Sequence, residues 1–274
     1  MPLKRTHLST LFSSTIIGFM VTALIPGRLG EIVRPCLLGQ KEGLSKTAAF
    51  ATIIVERIFD LITVLVLFSL YLLLVPAHSY LSSEASDTLN RVEWSGLISA
   101  IVAVALIGLL LLWHLKTSLF LKGTKKLSFF LPARLSHGLL KGISSFGEGL
   151  AVLRGKGLLL KVGIYSFVHW LTVCLGMWLV LLAFEIKVPF YHTLFILLFN
   201  FVGAAIPTPA GVGGFHKAIQ IALVNFLAID NDLAIGTSIV MHAVTFAPAA
   251  FLGIVLVWKE GLTIGKIREL PSKT

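Results

Sequence analysis

Apolar positions in this chain run in long blocks rather than alternating. Four stretches, about 47–75, 96–113, 158–183 and 233–258, are dominated by Leu, Ile, Val, Phe and Ala. About 18 or more such residues cross a bilayer core as a helix, so each stretch predicts a membrane span. Two further runs, about 8–25 and 190–206, stop at proline and glycine and resume as shorter apolar segments, about 29–38 and 215–228. A transmembrane barrel would instead show alternating segments of about ten residues, and these are absent. The expected fold class is an all-α polytopic membrane protein with about four full spans. Two re-entrant hairpins broken by Pro and Gly are expected besides, arranged as an inverted repeat.

Composition agrees with the blocks. The 274 residues are 56% hydrophobic and only 13% charged, with a mean hydropathy of +0.92. A soluble domain of this length needs far more polar surface to cover its core. The net charge of +10 suits cytoplasmic loops of a membrane protein. Nucleic acid is not the expected partner, because no basic-aromatic platform is present. The N-terminal stretch MPLKRTHLSTLFSSTIIGFMVTAL mimics a signal peptide, but no A-x-A-like site precedes Pro26, so it reads as retained.

Loop charge sets an orientation. Segment 114–157 carries Lys116, Lys122, Lys125, Lys126, Arg134, Lys141, Arg154 and Lys156 and reads as cytoplasmic, as does the tail with Lys259, Lys266, Arg268 and Lys273. Loop 76–95, with Glu84, Asp87 and Glu93 against Arg91, belongs on the opposite face. The first broken run is flanked by Lys4 and Arg5 before it and by Lys41 and Lys46 after it. Both ends prefer the cytoplasm, which a single crossing cannot give and a hairpin turning at Pro26 and Gly27 can. The second run, between Glu185/Lys187 and Asp230/Asp232, fits a hairpin entering from outside and turning within 207–214. Non-helical backbone at membrane depth survives only inside protein or beside a watery cavity, so two opposed hairpins predict an internal polar cavity.

The halves echo each other: TLFSSTIIGFMVTALIP (10–26) is like TLFILLFNFVGAAIP (193–207), followed by TIIVE (52–56) or SIVMH (238–242). The chain is therefore expected to be one integral membrane domain, 1–274. Its halves would be about 1–113 and 158–274, joined by a linker of about 114–157. Within that linker, Leu135, Leu139, Leu140, Ile143, Phe146 and Leu150 fall at helical spacing. They predict an amphipathic helix on the cytoplasmic leaflet, or a linker helix packed on the protein.

Charges inside apolar runs are the candidate chemistry, because burying an ion in hydrocarbon costs several kcal/mol without a partner, about 3 on insertion scales. Glu56 and Asp60 share one helical face, and Arg57 lies three residues before Asp60. They form either a self-neutralising structural cluster near the cytoplasmic end or a polar cavity wall. Two acids against one base leave a negative charge that Arg28 or Arg34 could neutralise. In the first break, Pro26 and Gly27 supply the turn, Gly30 permits close approach, and Arg28 and Arg34 suit phosphate because guanidinium offers a rigid donor fork. The second break offers Pro207, Pro209, Gly211, Gly213 and Gly214, then His216 and Lys217. Its backbone N–H groups make either an anion-attracting spot or a simple tight turn. His169 and His242 lie within spans, where such residues serve packing or a proton relay, and Asn200 reads as interhelical glue. Trp94, Trp113 and Trp258 sit near span ends as interfacial anchors. No nucleophile elbow, Walker loop or zinc signature occurs, and Cys36 and Cys174 imply neither disulfide nor metal.

The stretch PGRLGEIVRPCLLGQKEGLSKTAAFATIIVERIFDLI (26–62) resembles the membrane region of lysylphosphatidylglycerol synthase and flippase, shared with a large group of flippase-like integral membrane proteins. The pattern runs Pro-Gly-Arg-x-Gly-Glu, an Arg shortly after, then Glu-Arg-x-x-Asp on the next long helix. The matching positions are Pro26, Gly27, Arg28, Gly30, Glu31, Arg34, Glu56, Arg57 and Asp60, and PTPAGVGGF (207–215) is similar to the second Pro/Gly-rich motif. Members usually carry further N-terminal helices, so a shortened member is expected. No soluble aminoacyltransferase-like domain follows, so aminoacylation by this chain is not expected.

The resemblance implies flipping or scrambling of an anionic phospholipid or lipid-linked head group between leaflets of the cytoplasmic membrane. The expected binding residues are Arg28, Glu31, Arg34, Glu56, Arg57, Asp60 and His242. No catalytic residue, metal or cofactor is expected, the partners are membrane lipids, and the C-terminus is cytoplasmic. A second copy of the chain and a separate lipid-modifying enzyme stay open as protein partners. The alternative is a membrane transferase, or its accessory subunit, acting on polyprenyl-phosphate-linked sugars. Without an ATPase motif, transport would run downhill or couple to an ion gradient.

Overall fold

A computed structural model describes residues 6–25, 29–75, 96–108, 157–206 and 208–263, with the single positions 94 and 265. Every regular element among the described residues is helical: α1 (Leu8–Leu24), α2 (Gly30–Glu42), α3 (Lys46–Leu74) and α4 (Gly96–Gly108), then α5 (Leu158–Ala183), α6 (His192–Ala205), α7 (Gly214–Ile221) and α8 (Asn231–Lys259). This is an all-α membrane protein. Three of the helices, α3, α5 and α8, are long and apolar enough to cross a bilayer. The span expected over 96–113 is described only as α4, 13 residues by its bounds, and 109–113 lie outside the described residues. The amphipathic segment expected within 114–157 lies outside them too.

Local chemistry sets the helix ends. The Ser45 side chain accepts from the Ala48 N–H to start α3, and Asp230 accepts from the N–H groups of Asp232 and Leu233 to start α8. The residue before a proline is driven into extended backbone, which stops α1 at Ile25 (φ −118°, ψ 127°) and α6 at Ile206 (φ −64°, ψ 126°). Gly43 ends α2 in the left-handed region, at φ 65°.

Both broken runs fold back on themselves. Gly18 of α1 lies against Gly30 and Arg34 of α2, while the Lys41 ammonium reaches the Ser13 hydroxyl at 2.9 Å and the His7 N–H reaches Glu42 at 3.4 Å. Low numbers on one arm face high numbers on the other, so α1 and α2 are antiparallel and their outer ends meet. In the second hairpin Gly203 faces Phe215 and Ala218, and the rings of Phe195 and Phe226 lie 4.9 Å apart. Its returning arm is α7 followed by a π-helical turn at Ala222–Phe226, shorter in regular helix than the apolar run 215–228 suggested. The first returning arm is longer than expected, because α2 continues past residue 38 to Glu42.

Two spans hold the hairpins in place. α3 packs on α2 and α6, one arm of each hairpin, and α8 packs on α1 and α7, the other arms. α1 also touches the 3-10 turn Pro209–Gly211 at the tip of the second hairpin. α5 closes the arrangement against α3, α6 and α8. The largest core cluster joins these elements through Leu67, Cys174, Leu181, Ile196, Phe215 and Met241. Helices in a membrane gain little from hydrophobic exclusion, so close packing at small residues matters more. Gly253 of α8 provides one such approach, directly over Met20.

Candidate functional site

A seam of charge begins on α2 and runs across α3 to α5. Arg34 Nη1 donates to Glu56 Oε1 at 3.0 Å, and Arg57 Nη2 donates to the same oxygen at 2.7 Å. Arg57 also pairs with Asp60 Oδ2 at 3.2 Å, one helical turn on. The other carboxylate oxygen, Asp60 Oδ1, accepts from Trp170 Nε1 at 3.0 Å and from Ser166 Oγ at 3.3 Å. The Ser166 hydroxyl is 3.0 Å from Thr63 Oγ1. Two guanidinium groups thus face two carboxylates, and the charge of Glu31 also acts on Arg57.

Depth makes this seam unusual. Asp60 is the middle residue of the 29-residue α3, with 46–59 before it and 61–74 after it. Trp170 lies near the middle of the 26-residue α5. The cluster therefore reaches halfway along two apolar spans, deeper than the cytoplasmic end that a purely self-neutralising cluster, one of the two alternatives, implies. Asp60 is nearly sealed, its side chain 8% exposed, whereas Arg34, Glu56 and Arg57 are 24%, 38% and 41% exposed. Half-open ions beside a mid-span carboxylate are costly against bare hydrocarbon and call for water or another polar group next to them. Among the described residues, Arg57 Nε is buried without a hydrogen-bond partner.

Of the seven binding residues expected from sequence, four meet in this seam: Arg34, Glu56, Arg57 and Asp60. Glu31 joins through its charge. Arg28 lies outside the described residues, as do the turn residues Pro26, Gly27 and Pro207. The leftover charge on Glu56 and Asp60, assigned to either Arg28 or Arg34, is met by Arg34. Gly30 does permit close approach, since a Cβ there would collide with the Gly18 carbonyl oxygen and Thr22 Oγ1. Pro209 and Gly211 form the 3-10 turn, Gly211 and Gly213 have positive φ, and Gly214 opens α7. Three polar members escaped the sequence reading: Thr63, Ser166 and Trp170. Ser166 and Trp170 are four residues apart, hence on one face of α5, and that spacing was the available signal.

His242 is placed elsewhere. Its Nε2 is 2.7 Å from the Ala210 carbonyl oxygen at the second hairpin's tip. Its ring stacks on Phe246 at 4.5 Å and meets His216 at 4.7 Å. A third polar contact closes the base of the first hairpin, where Lys41 Nζ lies 2.6 Å from Glu260 Oε2 just beyond α8. Asn200, read as interhelical glue, donates to Met177 Sδ at 3.2 Å across α6 and α5. Among the described residues, no three of His, Cys, Asp and Glu gather as a metal site.

Comparison with known proteins bears on the whole of this arrangement. The family described as the lysylphosphatidylglycerol synthase TM region matches residues 4–253. A UPF0104 membrane protein of Methanocaldococcus jannaschii is 24% identical over 238 residues, covering 86% of this chain and 92% of the relative. Another UPF0104 membrane protein, of Pyrococcus horikoshii, is 25% identical, covering 94% of this chain and 80% of the relative. No solved structure is a significant match.

Proposed function

The chain belongs to the lysylphosphatidylglycerol synthase TM region family, and from that membership and the charged seam we propose that it carries a lipid head group across a membrane. The substrate class is an anionic phospholipid or a lipid-linked anionic head group, moved between leaflets by flipping or scrambling. The observation that supports this most is the pairing of Arg34 and Arg57 with Glu56 and Asp60, in which Asp60 is sealed at mid-span and the other three side chains are partly open. A head-group phosphate reaching the partly open side chains takes over the guanidinium forks, and the two carboxylates hold those forks in place while the site is empty. Because Arg34 and Arg57 offset the charges of Glu56 and Asp60, those four ions are tolerable in the membrane while the site is empty, and the acyl tails stay in lipid throughout.

By the positive loops, the protein sits in the cytoplasmic membrane with its C-terminus in the cytoplasm. The first hairpin then opens to the cytoplasm and the second to the outside. Lipids are the partners this reading requires.

Reconstitution into phosphatidylcholine vesicles containing labelled phosphatidylglycerol tests it. The native chain is expected to speed leaflet exchange by roughly tenfold or more, and Arg34→Ala and Glu56→Gln to remove most of that gain, each about 1.4 kcal/mol or more of lost stabilisation. Exchange at the protein-free rate refutes the function. Native-like exchange in both variants refutes the site. The alternative of a transferase on polyprenyl-phosphate sugars would show as product formation with no exchange.

A further inference from the structure

The tip of the second hairpin is strained, and one histidine holds it. Ala210 lies in the left-handed region at φ 55°, ψ 12°, a conformation unfavourable to a residue with a Cβ, and Gly211 and Gly213 follow at φ 74° and 86°. The Ala210 carbonyl can only accept, so His242 Nε2 carries the proton of their 2.7 Å bond and ties the tip to α8. His216 caps α7 from inside the same tip: its Nδ1 accepts from the Gly213 N–H at 3.4 Å. A neutral His216 that accepts at Nδ1 carries its proton at Nε2, and that atom is buried without a partner among the described residues. The hydroxyl of Thr208, on the same tip, is likewise buried and unpartnered. The two imidazoles stand edge to face, 4.7 Å apart, and His242 is the twelfth of the 29 residues of α8.

We propose that His216, packed against His242, is a proton-binding site that governs whether the tip of the second hairpin stays held against α8. A proton added at His216 Nδ1 removes that atom's lone pair, so the Gly213 N–H loses its acceptor. The new cation keeps its Nε2–H buried without an acceptor among the described residues, beside a second imidazole, a desolvation that release of the tip to water relieves. The other ionisable groups are too remote or too engaged to offset this. Lys217 on α7 is itself a cation, exposed and bonded to Gln220, and the carboxylates Asp230 and Asp232 lie at the start of α8, at the far end of α7. The described parts of α1 contain no ionisable side chain, and the one in α6, His192, is bonded to Tyr71. The held tip therefore binds the proton less well than a released one, and release gains population as pH falls. This makes a proton a ligand of the hairpin, independent of which lipid the seam takes.

Spin labels at Val212→Cys on the tip and Trp258→Cys near the end of α8, both exposed positions, read the tip's position without any transport assay. Between about pH 8 and about pH 5, the range in which histidine titrates, a second distance population is expected to grow by roughly threefold or more. In His216→Gln the distribution stays the same at both pH values, and His216→Asn serves if the glutamine variant is not monodisperse. A pH-independent distribution in the native pair of labels overturns the proposal, and so does a response that persists in either variant.

Discussion

Arg34 of α2 meets Glu56 of α3 at 3.0 Å, an ion pair across twenty-two residues that joins the returning arm of a broken hairpin to an unbroken span. The pair links the first hairpin to the rest of the seam. Glu56 shares one oxygen between Arg34 and Arg57, and Arg57 passes the connection to Asp60, Trp170 and α5.

Removing one member of that pair is expected to harm more than removing both. Arg34→Met leaves Glu56 short of a partner and Glu56→Met leaves two guanidinium groups short. Each should cost about 1–3 kcal/mol, less than a fully buried pair because both side chains are partly open. The Arg34→Met/Glu56→Met double variant should recover part of the loss. Thermal unfolding in detergent across the full double-mutant cycle measures the coupling, and strictly additive losses would deny it.

Asp60 separates two roles that the same carboxylate fills. Asp60→Asn keeps an oxygen for the Trp170 N–H and the Ser166 hydroxyl but gives up the charge facing Arg57. Asp60→Ala loses both, and should unfold with about 1–3 kcal/mol less stability than Asp60→Asn, the usual cost of buried donors left unmet. Equal stability of the two variants would show that the Trp170 contact carries nothing.

The hairpin contacts make a sharp steric prediction. Gly30→Ala places a methyl group on the Gly18 carbonyl and Thr22, backbone and a β-branched side chain that cannot step aside. The expected loss is about 1–3 kcal/mol, the range for forced overpacking. Gly176→Ala is the control, because nothing lies within 4 Å of its Cβ. If both substitutions leave the melting temperature alike, α1 and α2 are not packed as described.

Several of these relationships were legible in the sequence, and the reasons they were differ from the reasons others were not. Pro26-Gly27 with like charges on both flanks forced a turn, and α1 and α2 do fold back antiparallel. Glu56, Arg57 and Asp60 could be placed on one face because helical spacing is fixed by the backbone. Whether Arg28 or Arg34 met them could not be decided, since that depends on the register between separate helices, which no local pattern encodes. Trp170 was missed for the same reason: a lone tryptophan in an apolar run says nothing about the carboxylate opposite. His242 was seen as an intramembrane histidine, but its partner is a strained backbone carbonyl whose geometry follows from the whole turn.

The base of the first hairpin sets a last expectation. Lys41 Nζ lies within 2.7 Å of both oxygens of Glu260 and 2.9 Å from Ser13 Oγ, clasping both arms of the hairpin to the end of α8. A lone exposed ion pair contributes only about 0–1 kcal/mol, so Lys41→Ala should barely change stability. The position of the clasp matters more than its strength, because it lies at the ends of the two arms where the first hairpin would part from α8 to admit a head group. Loosening it should therefore raise lipid exchange about two- to fivefold, the factor corresponding to about 0.4–1 kcal/mol. Joining Lys41→Cys to Glu260→Cys with a short bis-maleimide should block exchange, while the same two cysteines capped singly should not. Native Cys36 and Cys174 are buried and do not compete for the reagent. Undiminished exchange after complete cross-linking would mean that the hairpin and α8 move as one body, and that the head group passes without opening the contact between α1 and α8.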